Sequence, residues 1–323
     1  MQSVAQYGRI VARALAAGIH NEFQLKSPFE KPKEPLHLVT GASGFSKSKS
    51  LTKSSQLSKW TFGDDAYFIS RNKVADVIGV ADGVGGWRNY GIDPSSFPRT
   101  LMLVCERMVR EGHFVPQSPA NIIAAGYSEM MEQKVLTLGS STACVVSLHR
   151  EEQTIYSANL GDSGFLVIRN GEIVHRSTEQ QHYFNTPYQL AVAPPSRDGQ
   201  WLSDSPEMAE SSSFKVEDGD VLMLATDGLF DNLSEDMIVR SLRPLHTHKE
   251  EERIQSTAHS MAEHAYKLSL DPDYMSPFAL SACDIGIDLR GELLKNLFLF
   301  SGGKPDDITC IIARVTYQSE IFL

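Results

Sequence analysis

The chain has 323 residues, of which 41% are hydrophobic and 22% are charged, as in ordinary globular domains. Its formal net charge is −10, which argues against nucleic acid as the main partner because phosphate contacts require a basic surface. No apolar run approaches the roughly 20 residues of a membrane span, so no transmembrane segment is predicted.

The first 21 residues form a basic segment. They include Arg9 and Arg13 but no acidic residue, and their apolar residues recur at helical spacing. This pattern is typical of a mitochondrial transit peptide, although an ordinary first helix of the domain would show the same spacing. A polar stretch with prolines follows and would separate such a helix from any core. We therefore predict a transit peptide over residues 1–21 and a location in the mitochondrial matrix.

The next segment, residues 22–58, differs from the remainder of the chain in composition. It is rich in serine and lysine, above all between residues 46 and 55. Few apolar residues and many small or charged ones favour a poorly ordered linker. The sequence therefore predicts that the compact domain spans residues 59–318.

Within this domain, strand patterns come in runs and helical patterns are grouped between them. Strands are predicted at Val74–Ala81, Ser141–Leu148, Thr154–Ala158, Asp220–Ala225 and Ile308–Tyr317, and helices from Pro94 and at Asn121–Glu132, Glu235–Leu242 and Glu250–Leu268. The dipeptide Asn170-Gly171 suits a type I′ turn and predicts a hairpin. Because strands and helices do not alternate strictly, the pattern favours an α+β fold with two packed sheets and helices outside.

Two of the apolar runs end in the same dipeptide, Asp-Gly, at Asp82 and Asp227. A carboxylate at the end of a buried strand must be solvated, paired or bound to a cation, because burying it alone costs several kcal/mol or more. Further acids lie at Asp64, Asp65 and Asp306. Carboxylate and carbonyl oxygens are the ligands that Mg²⁺ and Mn²⁺ prefer. The sequence therefore predicts a site for two ions, which together activate a bridging water and hold a phosphate.

The expected ligands are aspartates and one backbone carbonyl. They are Asp82, the carbonyl of Gly83, Asp227, Asp306 and one of Asp64 and Asp65. No P-loop, kinase signature or nucleophile elbow is present in the sequence. A water activated by metal ions removes the need for a nucleophilic side chain.

Six short motifs, taken together and in order, resemble a known family. They are Gly63–Ala66, Val80–Gly86, Gly139–Ala143, Asn159–Ser163, Ala225–Asp231 and Asp306–Thr309. Their order is similar to that in the metal-dependent serine/threonine phosphatases of the PPM class, also called protein phosphatase 2C. The resemblance covers roughly residues 60–317. It implies an αββα sandwich of two mainly antiparallel sheets, which hydrolyses phosphomonoesters with two Mn²⁺ or Mg²⁺ ions at one edge.

The resemblance also implies a role for each acid. Asp82 would bridge both ions and Gly83 would give its carbonyl, while Asp227 and Asp306 would complete one ion. Asp64 stands where the family usually has a metal-binding glutamate. Asp65 stands where a carboxylate holds a metal-bound water, so it is the predicted catalytic residue.

Three further segments are similar to one mitochondrial branch of the class, which acts on the coenzyme Q hydroxylase. They are Asp82–Arg88, Thr178–Pro187 and Tyr274–Phe278. The resemblance implies that the partners are phosphorylated proteins, among them mitochondrial proteins of coenzyme Q biosynthesis.

The chain departs from the family pattern at three places. Many relatives have a histidine where this chain has Val84, so either metal-bound water or His182 would donate the proton to the leaving group. The phosphate-binding arginine of the family has no match, and Lys59 is the nearest cation and the predicted substrate-binding residue. Residues 292–301 interrupt the pattern before Asp306, either as a real apolar segment or as a mistranslated intron.

Two acids in the motifs are interpreted as structural, namely Asp162 and Asp231. Two alternative functions remain open at the level of the sequence. One is a catalytically weak pseudophosphatase that scaffolds partners, and the other is a two-metal phosphatase of small metabolites. The intact set of Asp82, Asp227 and Asp306 weighs against the first, because a scaffold has no need of several costly buried acids.

Overall fold

The structure is a computed structural model that describes residues 34–47, 61–194, 201–285 and 302–317. The strands are β1 Leu36–Phe45, β2 Thr61–Phe62, β3 Asp65–Arg71, β4 Ala75–Ala81, β5 Gly139–Ser141, β6 Ala143–His149, β7 Thr154–Leu160, β8 Gly164–Arg169, β9 Glu172–Arg176, β10 Gln181–Tyr183, β11 Thr186–Pro187, β12 Leu190–Val192, β13 Glu210–Lys215, β14 Val221–Ala225 and β15 Ile308–Tyr317. The α-helices are α1 Ser96–Glu111, α2 Pro119–Met131, α3 Asp227–Phe230, α4 Glu235–Leu242, α5 Glu251–Ser269 and α6 Pro277–Asp284. Short 3-10 helices lie at Gly85–Tyr90, Pro206–Met208 and Arg243–His246.

Two large sheets organise these elements. One has six strands in the order β13-β7-β6-β4-β3-β2, and the other has five in the order β1-β15-β14-β8-β9. Every strand pairing within them is antiparallel. The predicted α+β class with two antiparallel sheets is confirmed.

The apolar core lies in three layers. Phe97 and Leu101 of α1 pack on the outer face of the six-stranded sheet. Val80 and Leu224 belong to a layer between the two sheets, and Ile254 of α5 belongs to a third layer against the five-stranded sheet. Each of these side chains is fully buried, and full burial of a large apolar side chain stabilises a fold by about 1.5–3 kcal/mol. The order of layers is helix, sheet, sheet, helix.

The strand β1 corrects the predicted linker. Residues 36–45 lie within the segment predicted to be poorly ordered, yet they pair with β15 along their whole length. Leu36 and Leu38 are buried between the sheets, and the side-chain amide of Gln255 in α5 bonds to both backbone polar groups of Ala42. A Cβ at Gly41 would lie 2.6 Å from the Cα of Gln255, so a small residue is required there. The linker prediction is therefore wrong for residues 36–45, and the domain begins earlier than residue 59.

Several other expectations agree with the structure or lie outside the described ranges. The hairpin is confirmed, because Asn170 and Gly171 both have positive φ between β8 and β9, as a type I′ turn requires. The predicted transit peptide at 1–21 and the segment 292–301 lie outside the described residues. Among the described helices, none is long and apolar enough to cross a membrane.

Candidate metal centre

Acidic residues from both sheets meet at one place. Asp82 follows β4 and Asp162 follows β7 in the six-stranded sheet, whereas Asp227 follows β14 in the five-stranded sheet. One carboxylate oxygen of each lies within 4.8 Å of the others. Hard divalent cations bind such groups of oxygens, so the ends of strands that are distant in sequence form a candidate metal centre.

The presence of Asp162 revises the sequence interpretation. That residue was expected to be structural, but it belongs to the three-acid group. Its Oδ1 is buried and accepts no hydrogen bond from the described residues. One signal in the sequence could have indicated this role, because Asp162 closely follows a predicted strand, as Asp82 and Asp227 do.

The backbone around Asp82 is held tightly. Its N–H donates to Thr142 Oγ1 at 3.0 Å, and its carbonyl accepts from the Thr142 N–H at 3.0 Å. A Cβ on the next residue, Gly83, would lie 2.6 Å from the carbonyl oxygens of Asp64 and Pro94. Glycine is therefore required at this position. The backbone segment that carries the predicted ligand carbonyl packs directly against the backbone of Asp64.

Asp65 lies between the two sheets. Its side chain is fully buried, and its Oδ2 accepts a hydrogen bond of 2.8 Å from Thr226 Oγ1. The same hydroxyl accepts a hydrogen bond from the N–H of Thr309. These two hydrogen bonds join the end of β14 and the start of β15 to the start of β3. The other oxygen of Asp65 has no partner among the described residues. Burial and the neighbouring Asp307 raise the pKa of Asp65 well above its usual value.

Asp64 forms an ion pair with Arg88. Its two oxygens accept from the guanidinium group of Arg88 at 2.5 and 2.6 Å, and its backbone N–H donates to Asp307 at 3.1 Å. Burial raises the pKa of Asp64, although the hydrogen bond from Arg88 acts in the opposite direction. Asp64 is not part of the three-acid group, so its role as a metal ligand stays a prediction and would require a change in its pairing with Arg88.

Two lysines lie among the remaining acids. Lys47 Nζ is 2.8 Å from Asp306 Oδ1, and Lys304 Nζ is 2.7 Å from Asp227 Oδ2 and 2.5 Å from Asp231 Oδ2. Neither lysine was predicted from the sequence to lie at the site. Lys47 lies in the segment read as a linker, whereas the proximity of Lys304 to Asp306 in sequence could have signalled its role.

The electrostatics of the cluster favour a bound cation. Burial first, and then the nearby charges of Asp227 and Asp65, raise the pKa of Asp82 well above its usual value. Burial also acts to raise the pKa of Asp227, but Lys304 beside it lowers that pKa overall. Buried oxygens without a partner among the described residues remain on Asp65, Asp162 and Asp227. Oxygen ligands of this kind, held close together and short of positive charge, fit Mn²⁺ or Mg²⁺.

Other predicted site residues have separate surroundings. Lys59, predicted to bind substrate, lies outside the described residues. His182 Nε2 is 3.0 Å from Asp204 Oδ2, and its ring stacks on Tyr188, so this histidine is engaged within its own loop region. Trp87 is buried and its indole N–H donates to Ser140 Oγ, which fixes the short 3-10 helix that carries the half-exposed Arg88.

Comparison with known proteins gives a consistent family match. Residues 53–264 match the family described as protein phosphatase 2C. The chain is 50% identical to a protein phosphatase PTC7 homologue of Danio rerio over 322 residues, which covers 99% of this chain and 100% of that protein. It is also 50% identical to a PTC7 homologue of Homo sapiens over 328 residues, with 99% and 100% coverage.

Solved structures share the same fold. The photosystem II phosphatase PBCP matches with a TM-score of 0.70 and 26% identity, covering 87% of this chain and 100% of that chain. The catalytic domain of the serine threonine protein phosphatase PstP, in complex with two manganese ions, matches with a TM-score of 0.52 and 15% identity over 87% of this chain and 99% of that chain. The second likeness concerns the fold alone.

Proposed function

The chain belongs to the protein phosphatase 2C family and is a metal-dependent serine/threonine protein phosphatase, and we propose that it works with two Mn²⁺ or Mg²⁺ ions at the aspartate cluster. One observation carries this proposal. Asp82, Asp162 and Asp227 bring carboxylate oxygens from both sheets within 4.8 Å of one another. The PstP domain, described with two manganese ions, supports the type and number of ions that we propose.

The residues of the cluster have different proposed roles. When bound, the two ions supply an activated water and positive charge for the phosphate. Asp82, surrounded by the other acids, would hold both ions, and Asp227 and Asp306 would hold one. Asp65 Oδ1, which has no partner among the described residues, can accept a proton from the attacking water. Lys47 and Arg88 are both partly exposed and add positive charge at the edge of the cluster.

Removal and replacement of the metal ions is the experiment that tests this proposal. Turnover of a phosphoserine or phosphothreonine peptide should depend on the ions, and the number bound per chain should be two. A chain that binds a single ion and turns over fully would contradict the two-ion centre while leaving the family assignment intact.

We further propose that the protein acts in the mitochondrial matrix. The basic, acid-free segment at residues 1–21 supports this location, and the described domain begins only at β1. A fusion of residues 1–35 to a fluorescent protein should co-localise with a mitochondrial marker, because an amphipathic basic segment is what the import machinery recognises. The double variant Arg9→Glu, Arg13→Glu is the matched control and should remain in the cytosol. Uniform cytosolic fluorescence of the unmutated fusion would refute the location.

The proposed substrates are phosphorylated mitochondrial proteins, including proteins of coenzyme Q biosynthesis. The similarity of Asp82–Arg88 and Thr178–Pro187 to the mitochondrial branch of the class supports this choice. In cells that lack the protein, phosphorylation of the true substrates should rise. It should return to normal with the native chain and stay high with an Asp82→Asn copy. Phosphoproteomics measures this difference, and unchanged phosphorylation of every coenzyme Q protein would rule out those proteins as substrates.

A further inference from the structure

Lys304 has an unusual position for a lysine, because its ammonium group is surrounded by protein acceptors. Nζ lies 2.7 Å from Asp227 Oδ2, 2.5 Å from Asp231 Oδ2 and 2.9 Å from Asn185 Oδ1. An ammonium group has three N–H donors, so each donor has an acceptor. Only 11% of the side chain is exposed. The charge of Lys304 is therefore directed into the cluster rather than into solvent.

The backbone and the stem of Lys304 are also fixed. The side-chain amide of the fully buried Asn232 accepts the N–H of Lys304 and donates to its carbonyl, both at 2.8 Å. The same amide donates to the carbonyl of Gly228, one residue after Asp227. The ammonium group lies 4.7 Å from the centre of the Phe278 ring, a favourable cation–π distance. Because both ends of the residue are held, its charge is at a fixed place.

The balance of charge in the cluster shows why a fixed cation is needed. Eight aspartates interact here, namely Asp64, Asp65, Asp82, Asp162, Asp227, Asp231, Asp306 and Asp307. In the described ranges, the cations bonded to them are Lys47, Arg88 and Lys304. If all eight acids are ionised, two divalent ions bring the sum to within one charge of neutrality. Without those ions, close carboxylates repel one another strongly in a partly buried site.

We propose that Lys304 is a built-in cation of the metal centre, which holds Asp227 and Asp231 in place before any divalent ion binds. This inference rests on the proposed two-ion function of the same cluster. Through Asn185, in the turn between β10 and β11, the ammonium group also fixes that turn against the centre. Lys304 is thus a positioning residue, and its contribution is largest in the metal-free protein.

The test compares the native chain with Lys304→Met, which keeps an apolar stem but removes the charge. The melting temperature is measured in EDTA and in saturating Mn²⁺. In EDTA, the variant should lose on the order of 10 °C, because the buried Asp227 and the partly buried Asp231 lose their partner. In Mn²⁺ the loss should be clearly smaller, because a divalent ion then holds Asp227. The exposed Lys267→Met is the matched control and should change neither value.

An equal loss of melting temperature in EDTA and in Mn²⁺ would overturn the inference, because packing rather than charge would then explain the role of Lys304. If Lys304→Met does not fold in EDTA, the double variant Lys304→Met, Asp231→Asn decides the question. It removes one of the two carboxylates that the first change leaves without a partner, so repulsion within the cluster falls and the variant should regain a folded metal-free state. Failure to do so contradicts the proposal.

The same measurements separate this inference from the proposed function. If Mn²⁺ does not raise the melting temperature of the native chain, the metal centre itself is wrong. A native chain that Mn²⁺ stabilises, together with a Lys304→Met variant that behaves like Lys267→Met, leaves the metal centre correct and refutes only the role of Lys304.

Discussion

Protein stripped of divalent ions with EDTA should have no measurable activity on a phosphoserine or phosphothreonine peptide, and added Mn²⁺ or Mg²⁺ should restore it. The physical reason is that the nucleophile of the proposed reaction is a water molecule, which divalent ions activate near neutral pH. Asp65, whose Oδ1 has no hydrogen-bond partner among the described residues, is placed to accept the proton of that water. The ions supply both the activated water and the positive charge that the transition state requires.

The measurement is peptide turnover after removal of the chelator, with the bound metal counted in the same samples. Activity should rise in step with binding and reach its limit at two ions per chain. Calcium chelation by EGTA in the presence of excess Mg²⁺ serves as the control and should leave turnover unchanged. Full activity in metal-free buffer would exclude the two-ion mechanism.

Replacement of Asp82 by asparagine should lower kcat by more than the roughly 10–100-fold typical of residues that only support a metal ligand. Asp82 interacts with Asp65, Asp162, Asp227 and Asp306, so it is placed to hold both ions. Asparagine has nearly the same shape but only one oxygen and no charge. Asp227→Asn should have a similarly large effect, because this residue belongs to the same group of three acids.

The fold should survive Asp82→Asn in metal-free buffer. Burial and the neighbouring acids disfavour the charged form of Asp82, so removal of this charge relieves repulsion. Circular dichroism and the melting temperature in EDTA measure this, and the exposed Asp236→Asn is the control for a change of the same chemistry away from the site. A loss of folded structure in Asp82→Asn would mean that the acid is structural. Unchanged kcat would mean that it is not a ligand.

The two kinds of variant have opposite effects on the metal-free protein. Asp82→Asn removes a carboxylate from a cluster in which carboxylates outnumber the bonded cations, whereas Lys304→Met removes one of those cations. Stability in EDTA should therefore stay the same or increase in the first and fall in the second. This difference in sign follows from the charge balance alone, so it can be measured without any activity assay.

Much of the centre could be predicted from the sequence because its signals are local. An apolar run that ends in Asp-Gly predicts a buried strand followed by a constrained acid, and Asp82 and Asp227 are found in that position at the ends of β4 and β14. The type I′ turn at Asn170 depends on two adjacent residues and was equally predictable. The order of the short motifs was enough to indicate the family.

Other features depend on partners that are far apart in the chain. The pairing of Asp64 with Arg88 and of Lys47 with Asp306 could not be read from spacing, because each joins residues brought together only by sheet packing. The inclusion of Asp162 in the acid group likewise depends on where β7 ends relative to β14.

The strand β1 is the clearest example of a feature that depends on long-range contacts rather than on local sequence. Its two glycines have low strand propensity, and it lies in a segment, residues 22–58, whose serine- and lysine-rich composition is typical of a linker. In the structure, ten backbone positions pair with β15, and Gly41 allows the close approach of α5. By itself, the sequence determined which strands end in acids and which family the chain resembles. Only the tertiary structure decided which cations balance those acids and where the domain begins, because those outcomes depend on long-range pairing and burial.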